Sequence, residues 1–245
     1  MLSILLLIIE VQESAVSITH TVLVEGNSLR FKEGFFGFST VVLLRASGHD
    51  PVLFDTGHHC TRLQVLKALQ QEGLTPESIR TVFLSHLHFD HANNADLFPN
   101  ATIYVGAAEW DYAWHPAAED PFCSIGMNTY FAQRKLELLH DEEGELLPGL
   151  HYRHAPGHTP GSYLLYYTQD TGQRVVIAGD ACKTYRELAQ ATSASEFDPA
   201  HRSASTLRWI ADHADVVVPG HYPELRRTPA GWVWDEPTRL ELIVR

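Results

Sequence analysis

The run His-Leu-His-Phe-Asp-His, which begins at His86, constrains the fold of this 245-residue chain more than any other feature. Four of its six side chains are metal-ligand types, and only Ser85 separates it from an apolar segment (81–84) that predicts a buried strand. On an extended segment His86 and His88 project to the same side, where they can hold one cation, and Asp90 continues that side. His91 faces differently, which favours a second cation beside the first. The pattern predicts a metal centre at a strand end.

Three further candidate ligands occur later in the chain, each next to a glycine and just past or between predicted strands: His158, Asp180 and His221. Taken alone, each fits an ordinary turn, because glycine beside a polar residue is common there. Together with the first run they complete a set of five histidines and two aspartates. This set is large enough for two divalent cations that share one bridging carboxylate.

Composition limits the class of protein. With 44% hydrophobic and 20% charged residues the chain can bury a substantial core, and no polar linker or internal repeat divides it. We therefore predict one α/β domain over residues 1–245. The formal net charge of −12 disfavours nucleic acid as a partner. Fifteen histidines beside three cysteines without a CxxC pair make imidazole the expected ligand.

Strands and helices alternate along the predicted domain. Apolar and β-branched runs predict strands at 3–11, 18–24, 39–45, 51–54, 81–84, 101–105, 150–153, 162–167, 174–178 and 215–218. Helical spacing predicts helices near 63–69 and 203–213. The apolar run 2–9 is too short to span a bilayer and has no basic residue before it, so we expect a cytoplasmic protein without a membrane segment.

An aromatic segment at about 107–147 shows no regular period, and we predict an irregular insert that covers the metal centre. Its rings could form an apolar slot for an acyl chain; they are Trp110, Tyr112, Trp114, Phe122, Tyr130 and Phe131. The alternatives are that these rings form a small core of the insert itself, or a contact between the two copies of a homodimer.

The ordered set of His86, His88, Asp90 and His91 followed by His158, Asp180 and His221, with Asp55-Thr56-Gly57 upstream, resembles the metallo-β-lactamase superfamily. The likeness extends over about residues 39–223. It implies an αβ/βα four-layer sandwich with the metals at the strand ends along one edge. It also implies that the first metal is held by His86, His88 and His158, and the second by Asp90, His91 and His221. Asp180 would then bridge the two metals, and Asp55 would orient a ligand histidine.

The branches of this superfamily differ in their ligands. Asp180 is present and Cys182 lies two residues beyond it, which disfavours a true β-lactamase, and His88 stands where the flavin-linked di-iron branch carries Glu. The run 85–92 resembles N-acyl-homoserine lactonase-like proteins. The stretches 66–99 and 214–221 resemble metallo-β-lactamase domain-containing protein 1, an animal relative associated with RNA cleavage.

These patterns favour a dinuclear hydrolase with two divalent cations, of which Zn²⁺ is preferred over Mn²⁺ or Fe. A hydroxide held between the cations would attack a small ester or lactone substrate. Asp90, Asp180 and Tyr185 are the candidate catalytic residues. Tyr185 and Lys183 could reach a substrate carbonyl or carboxylate, or could be a packing and a solvated side chain. The alternative functions are a phosphodiesterase or RNase of the same fold and a non-catalytic metal-binding module.

Overall fold

Two sheets form the centre of the structure, a computed structural model that describes residues 16–237. The strands, in chain order, are β1 (Ile18–Val24), β2 (Arg30–Phe31), β3 (Gly34–Phe35), β4 (Val41–Ala46), β5 (Val52–Phe54), β6 (Thr81–Phe83), β7 (Thr102–Gly106), β8 (Leu136–Leu139), β9 (Glu143–Leu147), β10 (Leu150–His154), β11 (Tyr163–Thr168), β12 (Arg174–Gly179), β13 (Val216–Pro219), β14 (Leu225–Thr228) and β15 (Gly231–Val233). The helices are α1 (Arg62–Gln71), α2 (Phe89–Ala92), α3 (Ala107–Trp114), α4 (Ile125–Phe131), α5 (Tyr185–Gln190) and α6 (Ser203–His213).

The first sheet has the strand order β1-β4-β5-β6-β7-β8, and the second has β15-β14-β13-β12-β11-β10-β9. Neighbouring strands from β5 to β8 are parallel, as are β12 and β13. A separate hairpin of β2 and β3 projects from the connection between β1 and β4. A hydrogen bond from the Tyr163 backbone N–H to the Ser85 carbonyl joins the two sheets at one edge, at 2.9 Å.

Three apolar clusters define four layers. In β4, Val42 and Leu44 face the cluster between the two sheets, whereas Val41 and Leu43 face the opposite side. That outer side of the first sheet is covered by α1 and α3. The outer side of the second sheet is covered by α5 and α6. Strands buried on both faces have nearly continuous apolar sequences, as here. The predicted αβ/βα sandwich is confirmed.

Parallel strands bring their carboxyl ends to one edge of the sandwich, and this is where chemistry-bearing loops meet in such folds. Asp55 follows β5, His86 and His88 follow β6, Asp180 follows β12 and His221 follows β13. These residues come from distant parts of the chain but follow strands whose ends meet, so they lie together at this edge of the sandwich.

Segment 107–147 differs from its prediction as an irregular insert, because it contains α3, α4, β8 and β9. Its helices have only eight and seven residues, and such short helices depend on tertiary packing rather than on a periodic local sequence. The β14–β15 hairpin was not predicted either. The predicted strand 3–11 lies outside the described residues, and the prediction of one domain over 1–245 stays a prediction.

Within residues 16–237, the structure has no helix with the length and apolar character that a bilayer crossing requires.

Candidate metal centre

The structure brings all seven predicted ligands together in one buried cluster. His86, His88 and His158 form one group, and Asp90, His91 and His221 form another, with the ligand atoms of each group within 4.8 Å of one another. The run from His86 is extended only as far as His88, because α2 begins at Phe89. This turn into a helix aims Asp90 and His91 at the second group.

Asp180 lies between the two groups and contacts both. Its Oδ2 is 3.2 Å from Nε2 of His158, while its Oδ1 is 3.2 Å from Nε2 of His91 and of His221. Gly220 permits this position, since a Cβ added there would lie 2.1 Å from Asp180 Oδ1. One carboxylate therefore presents a separate oxygen to each group, as a bridging ligand must.

Four atoms at the centre are buried without a hydrogen-bond partner among the described residues: His86 Nε2, His91 Nε2, His221 Nε2 and Asp180 Oδ1. A buried polar atom left unpaired costs about 1–3 kcal/mol. Imidazole nitrogens and carboxylate oxygens are also the donors that Zn²⁺ and related cations take. Both the donor set and these unpaired atoms fit a pair of divalent cations.

Each of the five imidazoles is held through its other ring nitrogen. His88 Nε2 contacts Asp120 Oδ2 at 2.9 Å, and His91 Nδ1 contacts Asp55 Oδ2 at 2.7 Å. The remaining three contacts, each at 3.0 Å, are His86 Nδ1 with Ser85 Oγ, His158 Nδ1 with the Ser195 carbonyl and His221 Nδ1 with the Asn27 carbonyl. When one ring nitrogen donates its proton outward, the other keeps a lone pair that faces the centre.

Asp55 organises the second group, in the role that the family resemblance implies. Its carboxylate accepts hydrogen bonds from the Ser85 backbone N–H at 2.7 Å and the Ser85 hydroxyl at 2.8 Å, besides that from His91. Burial raises the pKa of Asp55, and the neighbouring His91 opposes this rise. Asp55 also has a φ of 56°, an uncommon conformation for a residue other than glycine that often occurs at functional sites.

Sequence reasoning missed two buried carboxylates that support the centre. Glu109 accepts hydrogen bonds from the Leu87 backbone N–H at 2.9 Å and from the Thr159 hydroxyl at 2.6 Å, so it ties together the loops that carry His88 and His158. Asp120 holds His88 itself. Nothing in the sequence distinguishes these two carboxylates, because segment 107–147 contains nine acidic residues.

The pKa values of the histidines in this cluster are shifted in opposite directions. Burial lowers the pKa of His221, but Asp180 and Asp90 outweigh this effect and raise it to about 9. Burial and the neighbouring imidazoles of His91 and His88 hold the pKa of His86 well below its ordinary value. Burial tends to raise the pKa of Asp180, yet the charges of Lys183 and His221 keep it well below the usual range. The centre is therefore strongly polar before any cation binds.

A cavity of about 470 Å³ opens above the second group and is lined by Asp90, Asp180 and His221. The hairpin of β2 and β3 forms much of its wall. The Phe35 ring lies 5.4 Å from that of Phe122 and 6.1 Å from that of Phe89, measured between centroids. The cavity thus combines an apolar wall with the polar cluster.

Lys183 also lines this cavity, and its Nζ lies 2.8 Å from Asp180 Oδ2. Tyr185 does not share that location. Its ring lies 4.7 Å from the Trp234 ring, in the apolar cluster outside the second sheet. Tyr185 is the first residue of α5, and the direction of that helix turns the ring towards this cluster. This position fits the packing role that was the alternative interpretation, and a contact between Tyr185 and substrate stays a prediction.

The predicted aromatic slot also needs correction. Of the rings in segment 107–147, Phe122 lines the cavity, whereas Phe131 is fully buried and Trp110 and Tyr130 pack on the cluster outside the first sheet. Three of the six rings therefore belong to a core, which was the alternative interpretation. The hairpin that carries Phe35 provides much of the cavity wall that the sequence predicts for this segment.

The sequence is similar to those of known proteins of one superfamily. Residues 34–221 match the sequence model of the metallo-beta-lactamase superfamily. An N-acyl homoserine lactonase of Bacillus sp. is 29% identical over 167 residues, which are 67% of this chain and 64% of the relative. Human metallo-beta-lactamase domain-containing protein 1 is 32% identical over 184 residues, which are 75% of this chain and 62% of the relative. The chain thus spans less than two thirds of the length of either relative.

Among solved structures, the dizinc quorum-quenching lactonase AidC, in complex with the product N-hexanoyl-L-homoserine, superimposes with a TM-score of 0.62. The superposition covers 83% of this chain and 80% of that chain, at 20% sequence identity. At this identity the likeness shows a shared fold.

Proposed function

Because this chain belongs to the metallo-beta-lactamase superfamily, we propose that it is a hydrolase that uses two divalent cations to open a small ester or lactone. The observation that carries this proposal is the position of Asp180, whose two oxygens face the two ligand groups at 3.2 Å. A lone metal site would not need a carboxylate shared in this way.

We assign the first cation to His86 Nε2, His88 Nδ1 and His158 Nε2. Asp90, His91 Nε2 and His221 Nε2 would hold the second, and Asp180 would offer one oxygen to each cation. Zn²⁺ is the preferred occupant, in line with the dizinc lactonase of the same fold, while Mn²⁺ and Fe suit the same donors. When bound, such cations lower the pKa of a coordinated water towards neutrality and polarise the substrate oxygen.

The residues around the cavity would bind and orient the substrate. Phe35, Phe89 and Phe122 offer an apolar surface for an acyl arm. Lys183 places its ammonium group beside Asp180, where this group can contact a substrate carbonyl or carboxylate. Asp90 is 15% exposed in its side chain, against 1% for Asp180, so it is the ligand carboxylate that can take up or deliver a proton on the cavity side.

The lactonase relatives and the apolar wall favour a lactone or ester with an acyl arm. Phosphodiesters are the second substrate class to test, since metallo-beta-lactamase domain-containing protein 1 is also a relative. The net charge of −12 disfavours broad contact with a phosphate backbone.

A hydrolysis panel tests the proposal. Zn²⁺-loaded protein is assayed on acyl lactones, simple esters, thioesters and single-stranded RNA, beside chelator-stripped protein and the Asp180→Asn variant. We expect lactone or ester hydrolysis that is lost in both controls. RNA cleavage alone would favour the phosphodiesterase, and bound metal without turnover on any substrate would favour the non-catalytic module; either result contradicts the proposal.

A further inference from the structure

Asp120 is a carboxylate that four donors hold in place, one of them the Cys123 thiol, whose Sγ lies 3.8 Å from Asp120 Oδ2. It is 5% exposed, and its Oδ2 accepts hydrogen bonds from His88 Nε2 at 2.9 Å and from the Tyr112 hydroxyl at 2.7 Å. Its Oδ1 accepts the backbone N–H of Phe122 at 3.0 Å. Because the donors come from the metal centre, from α3 and from the Asp120 turn itself, the carboxylate has little freedom to move.

His88 differs from the other imidazoles of the cluster in the nitrogen that it presents. It turns Nδ1 towards the centre, 3.0 Å from His158 Nε2, whereas the other four present Nε2. A half-turn of the His88 ring would put a carbon in place of Nδ1. The hydrogen bond to Asp120 opposes that half-turn and keeps the ring proton on Nε2, which leaves the Nδ1 lone pair free for a cation.

Backbone contacts fix the segment that carries Asp120 against the ligand run. The Phe89 backbone N–H donates to the Phe122 carbonyl at 3.0 Å, and His88 forms an isolated antiparallel bridge with Cys123. The distance between Asp120 and His88 is therefore set by a short two-stranded contact as well as by the side chains.

We propose that Asp120 is a positioning residue that aims His88 Nδ1 at the first cation and so sets the cation affinity of the group His86, His88 and His158. Part of segment 107–147 then helps to build the metal centre, in addition to supplying Phe122 to the cavity wall. This inference rests on the proposed function, because it requires that the group binds a cation.

Zn²⁺ titration of chelator-stripped, full-length protein against a competing chelator tests the inference. Wild type is expected to bind two cations per chain. Asp120→Asn is expected to keep one cation at wild-type affinity and to bind the other about 10- to 100-fold more weakly. Co²⁺ in place of Zn²⁺ gives a second readout, since its visible absorption reports the coordination geometry, and the variant should change the bands of one site only.

Two further variants serve as references. Glu119→Gln removes the same charge from the adjacent exposed residue and should leave both affinities unchanged. Asp55→Asn disturbs the carboxylate that holds His91 and should weaken the other cation site.

The outcomes separate the two proposals. Wild-type protein that binds fewer than two cations would overturn the proposed function. Wild type with two cations and Asp120→Asn with both affinities unchanged would overturn only the inference about Asp120. If Asp120→Asn does not fold, Tyr112→Phe decides, because it removes one of the donors to Asp120; a smaller loss in the same direction supports the inference, and unchanged affinities overturn it.

Discussion

His88 Nδ1 and His158 Nε2 lie 3.0 Å apart, although 70 residues separate them in the chain. His158 comes from the loop between β10 and β11 of the second sheet, and His88 from the end of β6 in the first. Since the other nitrogen of each ring is already held by a hydrogen bond, both lone pairs can face one cation. The group proposed to hold the first cation is thus assembled across the two sheets.

His158→Ala removes the contribution of the second sheet to that group. We expect the first cation to be lost and kcat/KM for the hydrolysed substrate to fall by about 100-fold or more, beyond the range for residues that only support a ligand. The matched control is His151→Ala, because that ring stacks on Tyr166 at 5.1 Å, outside the seven ligands. Equal activity of the two variants would contradict the assignment of His158.

Phe35→Ala tests the apolar wall of the cavity. Loss of this ring should raise KM for substrates with long acyl arms by about 10-fold or more, with little effect on short ones, because an apolar contact of this size contributes about 1–3 kcal/mol. Phe36→Ala is the control, since this 56% exposed ring packs beside Phe31. An effect of both variants on all chain lengths would point to a disturbed hairpin instead of a lost contact.

Gly220→Ala tests the close approach of the backbone to Asp180. A Cβ at Gly220 would lie 2.1 Å from Asp180 Oδ1, so the carboxylate must move away from both cation sites. We expect a loss of activity together with a destabilisation of about 1–3 kcal/mol in denaturant unfolding. Gly126→Ala in α4 has no such neighbour and should leave activity intact. An active Gly220→Ala variant would show that the position of Asp180 is not required.

Metal uptake should release protons. In the metal-free protein the pKa of His221 is raised to about 9, so at pH 7 this ring is protonated and must lose its proton before it can bind a cation. Its charged form stabilises the folded metal-free state fully below the unfolded pKa near 6.5, and that contribution is lost as the pH rises through about 9. Calorimetric titration with Zn²⁺ in buffers of different ionisation enthalpy measures this release. Uptake without proton release at pH 7 would contradict the charge state.

The sequence was sufficient to predict a set of candidate ligands that meet in space, because His86, His88, Asp180 and His221 all follow strands, and strand ends meet at one edge of the sheets. It was not sufficient for Asp120, whose role depends on a contact with His88 across 32 residues that no local pattern records. Apolar and β-branched runs predicted the strands of an α/β domain, whereas the four-layer sandwich was implied by the resemblance to the superfamily.

Side chains that face a cavity are hard to predict from the sequence, for a physical reason. Tyr185 was assigned by its distance from Asp180 in the sequence, but the direction of a helix decides where its first side chain points. The rings of segment 107–147 were assigned to a slot, although aromatic side chains serve equally well in a core, as Phe131 does. Spacing along the chain identifies ligands at strand ends better than it identifies the side chains that face a cavity.

Anomalous diffraction from crystals of the Zn²⁺-loaded protein, collected at the zinc edge, tests the two-cation centre most directly. We predict two peaks on opposite sides of the Asp180 carboxylate, one among His86, His88 and His158 and the other among Asp90, His91 and His221. A single peak, or zinc bound elsewhere while hydrolysis is at its full rate, would contradict the proposed centre.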